Sequence, residues 1–87
     1  MALFDEIRNF VLENYFKPAR TRGETSLFVV SGEVHSGMNL VNRMPAVCNA
    51  LRSMKPWRIY DIILVKEVRL STVKKDSSTN KFFFNLT

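Results

Sequence analysis

A single cysteine, Cys48, occurs in the 87 residues. No internal disulfide can therefore form, and a reducing cytoplasm is the expected setting. Three glycines and three prolines supply no linker, repeat or low-complexity tract, so one domain over residues 1–87 is expected. Unbroken apolar runs stop at four residues, as in 62–65, against the roughly 20 that a membrane span needs. Asp5, Glu6 and Arg8 interrupt the apolar residues at the start, so neither a membrane contact nor a signal peptide is expected. With one histidine, His35, beside one cysteine, tetrahedral zinc lacks its usual ligands, and no metal site is expected. The sequence also lacks a Gly-rich phosphate loop and any recognisable pair of catalytic carboxylates. A Cys48–His35 nucleophilic pair would need an orienting group and oxyanion donors that nothing here suggests. No enzymatic activity, cofactor or small-molecule substrate is expected.

Acidic residues are scarce in one region in particular. The formal charge is +5, but residues 1–16 are net acidic through Asp5, Glu6 and Glu13 against Arg8. Residues 34–60 carry Arg43, Arg52, Lys55 and Arg58 with no acid at all. Residues 61–87 add Lys66, Arg69, Lys74, Lys75 and Lys81 against three acids. Basic charge gathered in the middle and late chain suits a surface that faces a polyanion.

What is present is a globular composition, 46% hydrophobic with ten aromatic residues. Leu3, Ile7, Phe10, Val11 and Tyr15 form a helical stripe, and Lys17-Pro18 is expected to close that helix at residues 2–16. Residues 25–30 read as a short buried strand. Ser31 is an expected N-cap for a helix over 32–38, with Val34 and Met38 inward and His35 outward. Asn39 then suits a left-handed helix end. Asn42 is a second N-cap candidate, and Pro45 fits the first turn of a helix over 43–54, halted before Pro56. That helix places Met44, Val47, Cys48 and Leu51 on a core side. Ala46, Asn49 and Ser53 lie opposite, flanked by Arg43 and Arg52. Residues 59–73 and 81–86 read as strands around a polar turn at 76–80. Trp57 and the run Phe82-Phe83-Phe84 are expected to pack against the first helix. Phe83 should differ in burial from its neighbours, since strand side chains alternate.

The stretch Ser31-Gly32-Glu33-Val34-His35-Ser36-Gly37-Met38-Asn39-Leu40-Val41-Asn42-Arg43-Met44-Pro45-Ala46-Val47-Cys48-Asn49-Ala50-Leu51-Arg52 resembles a prokaryotic helix-turn-helix. With the helix and strand before it and the hairpin after it, the chain resembles the winged-helix superfamily. The fold class so implied is α+β, with three helices, a short strand after the first and a C-terminal hairpin wing. The resemblance implies a double-stranded DNA-binding protein, a transcriptional regulator, with helix 43–54 in the major groove and the 74–81 wing on the backbone. Small residues Ala46 and Ser53 would allow close approach, Asn49 can address adenine, and Arg43 and Arg52 can reach guanine or phosphate. Ser31 and Asn42, at helix starts, would bring amides near phosphates. Lys74, Lys75 and Lys81 would contact phosphates from the wing. A homodimer on two half-sites is compatible with so small a module. Two other readings stay open: a protein-interaction module of the same shape, and an RNA or single-strand binder using the aromatics as a stacking platform.

Overall fold

The computed structural model describes residues 3–69 and 77–86. Its elements are α1 (Leu3–Val11), a wide π turn (Leu12–Phe16), α2 (Lys17–Thr21), β1 (Ser26–Val30), α3 (Ser31–Gly37), α4 (Met44–Arg52), α5 (Met54–Arg58), β2 (Ile62–Val68) and β3 (Lys81–Leu86). The result is a small α+β fold in which the helices cover one face of a three-stranded antiparallel sheet, ordered β1-β3-β2.

The first helical segment does not stop at Lys17-Pro18; it continues to Thr21. The π turn explains both the continuation and the pattern of burial. In it the Lys17 amide donates to the carbonyl of Leu12, five residues back. A proline inside a helix loses one such bond and its ring crowds the carbonyl four residues earlier, and a wide turn just upstream relieves that crowding. The extra residue also resets the helix phase. At about 100° per residue, Phe16 would lie roughly 140° round from Val11. The wider turn brings it back, so Ile7, Val11, Leu12, Phe16 and Ala19 all reach the core. Phe10 and Tyr15, which a regular helical period places inward, are only half-buried and pack edge to face on one another.

Ser31 is the first residue of α3 rather than its N-cap. Val30 occupies the cap position and makes no side-chain cap bond. The amides that open α3 are paired instead with backbone next to β3: Ser31 N donates to Asn80 O at 3.0 Å and Gly32 N to Ser78 O at 2.9 Å. The Ser31 hydroxyl, fully buried, donates to Ser77 O. Asn39 is left-handed, with φ 55°, as its position at a helix end demands. Asn42 is left-handed too, φ 54°, so it shapes the turn and does not cap α4. Arg43 holds the cap position without a side-chain bond. Its amide donates to His35 Nε2 at 3.2 Å, so the half-buried His35 pins the turn instead of pointing to solvent.

The third helix ends at Arg52, and a separate short helix, α5, begins at Met54. Pro56 is its third residue, where an amide has no helical partner anyway. Residues 59–61 are therefore turn, not strand, and β2 starts at Ile62. Asp61 adopts φ 59° in this turn, and the Arg20 guanidinium donates to the carbonyls of Tyr60 and Asp61. That bond ties α2 to the start of the sheet.

The core is continuous. Trp57 meets Phe16 and Phe84 edge to face, at 5.1 and 6.0 Å between ring centroids, and its indole N–H donates to Leu51 O. Val47, Cys48, Ala50 and Leu51 turn inward from α4. Phe82 and Phe84 are buried against the helices, whereas Phe83 points to the other side of the sheet and is half-buried. The sequence pattern anticipates the Trp57 packing, the Cys48 burial and the alternation of the three phenylalanines.

The seam between α3 and the Ser77–Asn80 backbone leaves no room for another carbon atom. A Cβ at Gly32 would sit 2.5 Å from Ser78 O, a backbone atom. Gly32→Ala is expected to destabilise the fold by about 1–3 kcal/mol, the usual cost of overpacking. Urea unfolding of both proteins checks this, and an unchanged midpoint would mean that the seam is looser than it looks.

Candidate nucleic-acid interface

The α3–turn–α4 unit packs on α1, and α4 is wedged between α1 and α3. Its inward positions are apolar, which fixes what remains outside. Asn42, Arg43, Pro45 and Asn49 are exposed, and Ala46, Arg52 and Ser53 are partly so. These side chains form one surface of small and polar groups edged by cations. The Ser53 hydroxyl donates to Asn49 O, closing the end of α4. Arg43 projects from the start of the helix, with one guanidinium N–H donating to its neighbour's carbonyl, Asn42 O.

Arg52 is held more firmly than a solvent-facing contact residue. Its guanidinium makes a two-pronged pair with Glu67 of β2, Nε to Oε1 and Nη2 to Oε2, both at 2.8 Å. Its remaining nitrogen donates to Asn49 Oδ1 at 2.8 Å. Arg69 and the Asn80 amide also donate to Glu67, and the Arg52 guanidinium lies 5.9 Å from the Phe82 ring centroid. The Glu67 side chain is 12% exposed. The hydrogen bond from Arg52 is the main cause that holds its carboxyl below the ordinary glutamate range, with Arg69 adding to it against the cost of burial. The fork is thus a structural tie from α4 to the sheet, and it fixes the orientation of Asn49.

Of the residues expected to meet nucleic acid, Asn42, Arg43, Ala46, Asn49, Arg52 and Ser53 are brought together at α4. The others are not with them. Ser31 is buried and its amide and that of Gly32 are already paired, so the start of α3 offers nothing to a phosphate. Lys74 and Lys75 lie outside the described residues. Lys81 points to the side of the sheet away from the helices, its ammonium 5.3 Å from the Phe28 ring centroid, because alternation from the buried Phe82 and Phe84 sends Lys81 and Phe83 outward. Glu67 is the residue that pattern reading overlooks. A lone acid in a strand gives no sign of its partner, although an arginine 15 positions earlier on a helix edge is in reach once the strand folds back.

Among the described residues no group of three potential metal ligands occurs, and no helix is long and apolar enough to cross a membrane. Compared with known proteins, the chain matches no family model, no curated protein and no solved structure.

Glu67 makes acid sensitivity a test of the tie. Its folded pKa is depressed, so its contribution to stability is complete above the unfolded glutamate value of about 4.3 and is lost as pH falls through the lower folded value. Glu67→Gln should cost about 1–3 kcal/mol near neutral pH. The gap between variant and wild type should close in acid. Thermal melts across a pH series would show this, and a gap that does not change with pH would rule the tie out.

Proposed function

We propose that the chain is a winged-helix protein that binds double-stranded DNA through α4, acts in transcription regulation in the cytoplasm, and catalyses no reaction. The reading rests chiefly on one observation: α4, which carries no acid of its own, presents a surface of small and polar residues with Arg43, Asn49 and Arg52, directly after a short helix and turn. The element order and the strand order β1-β3-β2 agree with a winged-helix arrangement, in which such a helix enters a major groove about 12 Å wide. In this reading Ala46 and Ser53 let the backbone approach and Asn49, held by Arg52, faces a base edge. Arg43 addresses guanine or phosphate, and Arg52 acts by holding Asn49 in place. In this reading the cations of Lys74 and Lys75 supply sequence-independent attraction to the backbone. A module of this size spans few base pairs, so a homodimer on two half-sites is part of the proposal.

The experiment is a titration of a fluorescent random-sequence duplex at low and moderate salt. Affinity should fall steeply as salt rises, because bound lysines and arginines release counterions from the DNA. Arg43→Ala should weaken binding several-fold and flatten the salt slope by about one while leaving the melting temperature unchanged. Arg52→Ala should lower both affinity and melting temperature. Binding no tighter than about 10⁻⁴ M at low salt would end the duplex reading.

A further inference from the structure

The sheet has a second face, turned away from the helices, and it is not the plain polar surface that an outer face would be by default. Phe28 of β1 stands directly opposite Phe83 of β3. The two rings are 5.6 Å apart and tilted by 36°. Phe28 is 51% exposed, a large fraction for a phenylalanine in a strand. A lysine stands over each ring: Lys66 Nζ is 5.0 Å from the Phe83 centroid and Lys81 Nζ is 5.3 Å from that of Phe28. Beside them lies an open groove of about 690 Å³ whose lining includes Arg22, Ser26, Phe28, Lys66, Phe83 and Asn85. A β-bulge between Leu64 and Lys66 changes the alternation of β2 and sets Lys66 opposite Phe83.

We propose that this outer face is a binding site for a single-stranded polynucleotide, with a base stacked on Phe28 and Phe83 and the adjoining phosphates on Lys66 and Lys81. Every base has a π face, so an exposed aromatic pair accepts a strand whatever its sequence, and cations beside the rings neutralise the backbone. An exposed ammonium held over a ring by cation–π attraction is weakly fixed, so each lysine can swing from ring to phosphate as the base arrives. Charge selects this occupant over a second copy of the chain. Two such faces brought together would set Lys66 and Lys81 of one copy against those of the other, and the acid that lines the groove, Glu24, is already paired with Arg22. The bases must be unpaired, since a duplex keeps their π faces inside its stack. The site is independent of the duplex surface on α4, which lies on the opposite side of the sheet.

The test is fluorescence anisotropy with labelled oligothymidylate and oligouridylate of about ten nucleotides at low salt. Four proteins are compared: wild type, Phe28→Leu, the Lys66→Gln/Lys81→Gln double variant, and Arg43→Ala. Phe28→Leu keeps an apolar side chain at an exposed position, and melting curves verify that each variant folds. Expected is binding of one or both oligomers, weakened on the order of tenfold by Phe28→Leu, the loss of one stacked base, and weakened with a flatter salt slope in the lysine variant. Arg43→Ala should bind the single strand as well as wild type, and Phe28→Leu should bind the duplex as well as wild type. Three results overturn the proposal: no single-strand binding by the wild type, single-strand binding that is lost in Arg43→Ala but kept in Phe28→Leu, or self-association in sedimentation that Phe28→Leu abolishes. Because the two faces are probed by different variants, failure here is distinguishable from failure of the duplex reading.

Discussion

A carboxylate shared among three donors organises the end of this molecule that carries α4. Glu67 takes both prongs of the Arg52 fork and further bonds from Arg69 and Asn80, so one side chain joins a helix, a strand and the residue that precedes β3. Removing a nearly buried acid from water is costly, and here that cost is offset by charged donors at short range. The same backbone region reaches the start of α3 through Ser77, Ser78 and Asn80. The turn-bearing helices and the sheet are thereby locked together by polar bonds at their edge, while Trp57, Phe16 and Phe84 join them through the core.

This arrangement separates the charges of the molecule by role. Arg52 is largely occupied with holding α4 in place, whereas Arg43 meets no acid among the described residues. Arg8 and Lys17 are similarly occupied with Asp5 and Glu13 along the first helix. Lys66 and Lys81 pair with rings instead of acids. A formal charge of +5 therefore describes the surface poorly, since what matters for a polyanion is which cations can be released to meet it.

The sequence was readable where one local rule acted alone. The apolar side of α4, the burial of Cys48, the left-handed Asn39 and the alternation of Phe82, Phe83 and Phe84 follow from spacing and backbone preference. It was misread where two rules competed. Pro18 signals a helix end unless a π turn relieves its ring. Pro56 signals the same unless a new helix has just begun. Ser31 and Asn42 have the chemistry of N-caps, yet Ser31 is claimed by a carbonyl 46 residues away and Asn42 by the geometry of the turn. The partner of Arg52 is in reach only once β2 folds back beside α4, and the ring pair only once β3 lies beside β1. No window of the sequence contains them.

The π turn of the first helix also bears on how this chain can change over time. An extra residue that resets the phase of a helix is, in effect, an insertion that has been accommodated without a loop. The residues on either side obey two separate periodicities, one carried by Ile7 and Val11 and the other by Phe16 and Ala19. A descendant that lost one residue between them could relax the wide turn to a regular one and keep both stripes on the core, since a step of four regular residues turns a helix by about 400°, close to one full turn. A relative with an uninterrupted helix would align with it only across a gap placed where helices ordinarily tolerate none.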